Sequence, residues 1–125
     1  MTVASRIMVQ TFGAVSVVDF IDAAIMDALQ IVQIGQELYD LVEQENRRYL
    51  LIDFSPVRFL SSQTLGVMLN LHNKLAERDG WLGLCGLKKE LRRIFKLAQL
   101  ENVFNFYDTE DQALQDVRQK HCWRV

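Results

Sequence analysis

The sequence predicts a single α/β domain over residues 1–125, with a mixed, mostly parallel sheet of about five strands covered by about four helices. Three observations predict it. Apolar, β-branched runs alternate with stretches whose apolar residues recur every three or four positions, in the order β β α β α β α β α. The run Tyr49-Leu50-Leu51-Ile52-Asp53-Phe54 is almost continuously apolar, which suits a strand covered on both faces. The chain has 125 residues, half of them hydrophobic, enough to fill one core without disulfides or a metal.

The elements follow in order. Arg6-Ile7-Met8-Val9-Gln10 and residues 14–20 read as strands, and Gly13 between them predicts a hairpin turn. Ile31, Ile34, Leu38, Leu41 and Val42 share one helical face, in a helix that starts near Asp27 and runs to Asn46 or Arg47. Ser55-Pro56 ends the strand that starts at Tyr49, because proline has no N–H for the ladder. Residues 57–60 continue extended into Ser61-Ser62, where a second helix begins. Leu65, Met68, Leu69, His72, Leu75 and Ala76 are its expected inward face, and Gly80 its expected C-cap. Residues 81–87 form another strand, weakened by Gly83 and Gly86. Leu91, Ile94, Phe95 and Ala98 mark a third helix, and residues 103–107 a last short strand. Thr109-Glu110-Asp111-Gln112 matches a capping box opening a final helix with Ala113, Leu114 and Val117 inward.

Composition excludes several classes. The net charge of −2 argues against a non-specific nucleic-acid binder. No run approaches the roughly 18 apolar residues of a membrane span. The start of the chain does not read as a signal peptide, because Arg6, Gln10 and Thr11 interrupt its apolar stretch, so the expected location is the cytoplasm. The two cysteines, Cys85 and Cys122, make no disulfide framework, and Cys85 reads as a buried small hydrophobe. His72 and His121 lack partners at metal-ligand spacing, so neither a metal nor another cofactor is expected. Asp53, Ser62 and His72 do not make a triad. Ten residues of helix put Ser62 and His72 ~15 Å apart, against the ~3 Å of a hydrogen bond. With no phosphate-binding glycine loop either, the chain does not read as an enzyme.

The stretch from Asp53 to Gly66 carries the functional signal. Two serines precede an apolar-periodic helix, and serine is a strong N-cap, stabilising by about 1 kcal/mol over alanine. Gly66 inside that helix costs about 1 kcal/mol, for which close approach of another backbone is the usual reason. Lys88, Lys89, Arg92, Arg93 and Lys96 cluster on the third helix, a run that is usually just a solvated face. Val67 and Leu71 either widen the buried side of the second helix or form an exposed apolar patch beside Ser62.

The strand Leu51-Ile52-Asp53-Phe54-Ser55 and the helix opening Ser61-Ser62-Gln63-Thr64-Leu65-Gly66 resemble the STAS domain, the fold of bacterial anti-sigma factor antagonists. Gly80-Trp81-Leu82-Gly83-Leu84-Cys85-Gly86-Leu87 and Leu100-Glu101-Asn102-Val103-Phe104-Asn105-Phe106-Tyr107-Asp108 look like later parts of the family pattern, in order. The family's Asp-Ser-Ser-Gly-Leu-Gly-like motif is altered here, with Ser61 at its aspartate and Thr64 at its first glycine. The resemblance implies a protein-binding module whose partner is an anti-sigma factor that is also a serine kinase. It implies phosphorylation at Ser62, with Ser61 and then Thr64 as further candidates, and release of the partner on modification. The implied contact surface is Ser61, Ser62, Gln63, Gly66, Val67 and Leu71. A STAS-type adaptor in a transport or sensory complex, without a phospho-switch, is the alternative.

Overall fold

The computed structural model describes residues 5–120. His121 and Cys122 lie outside them. β1 (Ile7–Phe12) and β2 (Val15–Phe20) form the expected antiparallel hairpin, and Gly13 turns it at a φ of 63°. The short strand β3 (Ala24–Ile25) leads into α1 (Ala28–Glu43). Asp27 caps α1 by accepting from the N–H groups of Leu29 and Gln30. Gln30 returns its side-chain oxygen to the N–H of Asp27, completing a capping box. α1 stops a few residues earlier than the pattern suggests, because Asn46 adopts a φ of 61° and turns the chain into β4 (Tyr49–Asp53).

β5 (Phe59–Leu60) pairs in parallel with β3, and α2 (Ser62–Ala76) follows. Next come β6 (Trp81–Cys85), α3 (Lys89–Leu97), β7 (Asn105–Tyr107) and α4 (Glu110–Lys120). The main sheet runs β1-β2-β4-β6-β7, parallel except at the β1–β2 hairpin. The α/β class, the five-stranded mixed sheet and its four helices agree with the sequence-based expectation. The β3–β5 side pair was not foreseen, since two residues of strand carry no period.

The sheet is covered on both faces. Val18, Phe20, Leu50, Ile52, Leu82 and Leu84 pack with α1, α2 and α3 in the larger core. Val15, Val17, Tyr49, Leu51, Trp81 and Cys85 pack with Ala113, Leu114 and Val117 of α4 in the smaller one. Every residue of β4 and β6 is buried, as their apolar runs require. Gly83 in β6 makes room for the Trp81 ring, which a Cβ there would meet at 2.3 Å.

Several local expectations need correction. α2 turns Thr64, Leu65, Met68, Leu71 and Leu75 inward, while Leu69 and His72 are half-buried and Ala76 is exposed. On α3 Leu91 and Phe95 are buried, Ile94 is half-buried and Ala98 is exposed. Gly80 is not the left-handed residue that ends α2. Asp79 takes that role at a φ of 56°, and the N–H of Gly80 then reaches the Leu75 carbonyl at 2.7 Å. Gly80 is needed for a different reason: a Cβ would sit 2.5 Å from the Arg48 carbonyl oxygen. The box at α4 is shifted by one residue. Thr109 Oγ1 accepts from the Gln112 N–H, but the Gln112 side chain accepts from Asp108.

Candidate functional site

The C-terminal ends of the parallel strands converge on the segment between β4 and α2, the customary place for function in open α/β sheets. That segment is held along its length. The N–H of Phe54 donates to the Cys85 carbonyl, that of Arg58 to Ala23 and that of Ser61 to Ile25. Lys88 Nζ donates to the carbonyls of Ser55, at 2.6 Å, and Val57, at 3.3 Å. Phe54 and Val57 are fully buried. Ser62 thus starts its helix from a fixed platform.

Ser62 is exposed at the first position of α2, and Gln63 beside it is exposed too. Ser61 sits at the N-cap with extended backbone, yet its side chain makes no capping bond. Its Oγ is buried without a hydrogen-bond partner, as is Thr64 Oγ1. The helix therefore opens with no side-chain cap and no acidic residue in its first turn, which leaves its positive end available. Thr64 is fully buried, so in this fold its hydroxyl is out of a kinase's reach.

Of the two readings of Val67 and Leu71, the structure shows the buried one. Leu71 is fully buried, and Val67 is half-buried against Gly35 of α1, 3.5 Å from where a Cβ on that glycine would lie. Both widen the core face. Gly66 is the reverse of its expected close-approach role: nothing lies within 4 Å of where its Cβ would be. The tight glycine between α1 and α2 is Gly35. Gly66 stands one turn after Ser62 on the same exposed side. Three exposed apolar residues lie on the segments that the β3–β5 pairing and the Ser61–Ile25 bond bring to the start of α2. Phe59 is 62% exposed, Met26 55% and Leu29 80%, and the pairing of Ala24 with Phe59 brings their segments together. Sequence reading missed this patch because the β3–β5 pairing that assembles it leaves no periodic trace.

A second cluster was also invisible in the sequence, its members being far apart along the chain. Carboxylate oxygens of Asp19, Asp53 and Glu110 all lie within 4.8 Å of one another. Asp19 and Asp53 are register partners at the ends of β2 and β4, and Glu110 opens α4 above them. Burial pushes Asp53 up, but hydrogen bonds from Glu110, Ser55 Oγ and the Ser55 N–H outweigh it and hold the carboxyl low. Glu110 is pushed up to about 7, first by its hydrogen bond to Asp53, then by burial and the neighbouring charges. Burial and the Asp53 charge raise Asp19 as well. Asp53 is thus the ionised member and Glu110 the proton donor. Gly86, at a φ of 71°, packs against this corner: a Cβ would meet Ser55 Oγ at 2.5 Å and Asp53 Oδ1 at 2.7 Å. Burial first, and then the charges of Asp53, Glu110 and Asp19, push the Cys85 thiol far up and keep it inert.

His72 rests edge-on against Phe104, with ring centroids 5.7 Å apart, while Asp53 binds Ser55, so the three triad residues do not come together. Among the described residues no helix is long and apolar enough to cross a membrane.

The family model of the STAS domain matches residues 7–113. A Thermotoga maritima protein provisionally named an anti-sigma factor antagonist is 28% identical over 75 residues, which is 60% of this chain and 65% of that relative. An anti-sigma factor antagonist from Mycobacterium paratuberculosis superposes with a TM-score of 0.78 at 29% identity, covering 90% of this chain and 92% of that one. The Bacillus cell-fate determinant SpoIIAA, solved in its phosphorylated form, superposes with a TM-score of 0.69 at 18% identity over 90% of this chain and 99% of its own. That last likeness is one of fold.

Proposed function

Since the chain belongs to the STAS domain family, we propose that it is an anti-sigma factor antagonist: a cytoplasmic binding module, not a catalyst. Its partner on this reading is an anti-sigma factor with serine kinase activity. Contact is made through Ser62, Gln63 and Gly66 and through Phe59, Met26 and Leu29. Phosphorylation of Ser62, which is exposed where Ser61 Oγ is buried, turns binding off.

The observation that carries the reading is the opening of α2. Ser62 is exposed at a helix start that has neither a side-chain cap nor an acidic first turn. A phosphate adds a charge of about −1.5 to −2 at pH 7. The free backbone N–H groups and the helix dipole accept that charge at a gain of about 0.3–1 kcal/mol. The domain therefore tolerates the phosphate without unfolding. A partner facing the same serine does not: like charges brought together at an interface cost several kcal/mol, and about 4 kcal/mol is about a thousandfold in affinity. The apolar patch beside the serine supplies contact area that water does not favour.

The test is a titration of the purified anti-sigma kinase encoded in the same genome against wild type, Ser62→Ala and Ser62→Asp. We expect wild type and Ser62→Ala to bind alike and Ser62→Asp to lose at least a hundredfold. Incubation with the kinase and ATP adds one phosphate to wild type and none to Ser62→Ala. Equal binding of all three variants would reduce Ser62 to a structural helix start.

A further inference from the structure

On the far side of the fold from β1, α3 borders a groove of about 770 Å³, within the range of small-molecule sites. We propose that this groove binds a small organic phosphate, its anionic head held by the cations of α3 and its hydroxyl- or amine-bearing body turned to the acidic residues of the groove.

Four cations line one side: Lys89, Arg92, Arg93 and Lys96. Their spacing of three, one and three residues puts them along one side of the helix. Among the described residues none of them enters an ion pair, although the chain as a whole is net negative. Uncompensated charge of one sign in a concave wall concentrates the field and draws in anions. Lys88, which heads the same basic run, does not belong to the groove, because its ammonium is committed to the carbonyls of Ser55 and Val57.

Arg92 is held ready. Its guanidinium lies over the Phe106 ring, 4.6 Å from the centroid. A stacked guanidinium loses little freedom when it grips a phosphate in a two-pronged bond. Glu101 and Asp108, from the segments that follow α3, also line the groove, and among the described residues neither forms an ion pair with the α3 cations. Acceptors there repel a ligand that is anionic throughout, such as an acidic peptide. They suit one that is anionic at one end and carries hydroxyl or amine donors at the other. Leu97, 73% exposed at the rim, offers the body an apolar edge.

The groove is assayed on the isolated chain, so the result is independent of any partner protein. Ribose 5-phosphate, ribose and sodium sulfate are titrated at constant ionic strength and followed by heteronuclear NMR. We expect saturable one-to-one binding of ribose 5-phosphate, with the shifts confined to α3 and residues 99–108, and none with ribose. Arg93→Gln/Lys96→Gln, which leaves the Arg92–Phe106 stack intact, should weaken it at least tenfold with an unchanged thermal midpoint. Glu101→Gln should weaken ribose 5-phosphate and leave sulfate unaffected. Absence of saturation, sulfate binding as tight as the sugar phosphate, or undiminished binding by the double variant would each overturn the proposal. So would tight capture of a polyglutamate peptide in its place, which would make the groove a docking site for acidic protein.

Discussion

A glycine in mid-helix is a small loss of stability that something must offset. At Gly66 nothing inside the chain does so, since the space its Cβ would occupy is open. Gly66→Ala is therefore expected to stabilise the isolated domain by about 1 kcal/mol, the difference in helix propensity. Chemical denaturation would read this as a higher midpoint at unchanged slope. On the proposed function the same variant binds the partner more weakly, because the methyl occupies the approach one turn after Ser62. A variant more stable and equally able to bind would remove Gly66 from the contact surface. Gly80, Gly83 and Gly86 are the contrary case, each hemmed in by atoms 2.5 Å or less from where a Cβ would sit. Glycine residues look alike in a sequence, and only the surrounding atoms separate one kept open for a partner from one kept small for its neighbours.

Between elements, Lys88 ties the start of α3 to the loop that presents Ser62. Lys88→Met keeps the length of the side chain and removes both bonds to the Ser55 and Val57 carbonyls. The bond to Ser55 is exposed and the one to Val57 half-buried, and such bonds from a charged donor are worth about 1 kcal/mol net or less each. We expect the variant to lose up to about 2 kcal/mol of stability. Amide exchange across residues 54–61 should quicken more than in β4 or β6. Uniform quickening would show that the clamp holds the whole fold and not this loop. Elements that stand on a periodic pattern were legible in the sequence: α1 from Asp27 onward, the buried run of β4, and Ala113, Leu114 and Val117 of α4. Those that depend on a distant strand were not. Ser61 holds the N-cap position that its identity suggests, yet its Oγ turns inward and makes no cap. Val67 and Leu71 read equally as core or as an exposed stripe until the structure shows Leu71 buried and Val67 half-buried against α1. Of the proposed contact surface, Ser62 and Gln63 could be read from the sequence, whereas Phe59, Met26 and Leu29 could not, because only the β3–β5 pairing brings their segments together.

Taken whole, the molecule responds to pH through the corner where both faces of the fold meet. Glu110 keeps its proton in the folded state up to about 7, against an ordinary value of 4.5. Folding therefore takes up a proton between those limits. The contribution is complete below about 4.5 and is lost as pH rises through about 7. Asp53, held low, acts in the opposite sense, with stability lost as pH falls below the ordinary 3.8 toward its lowered value. The urea midpoint of wild type should fall between about pH 5 and pH 8. Glu110→Gln, which still donates to Asp53 but cannot ionise, should follow a flatter curve. The gap is on the order of 1 kcal/mol once solvent screening of a half-buried pair is allowed for. Parallel curves would show that the pair does not titrate as described. A different consequence follows from α4 being the helix that covers the second sheet face among the described residues. At about 5–20 residues per second on the ribosome, residues 5–107 are complete about one to three seconds before residue 120 is made. In that interval Val15, Val17, Leu51 and Trp81 lack the cover that α4 gives, and the newborn chain is at its most adhesive just before α4 is made.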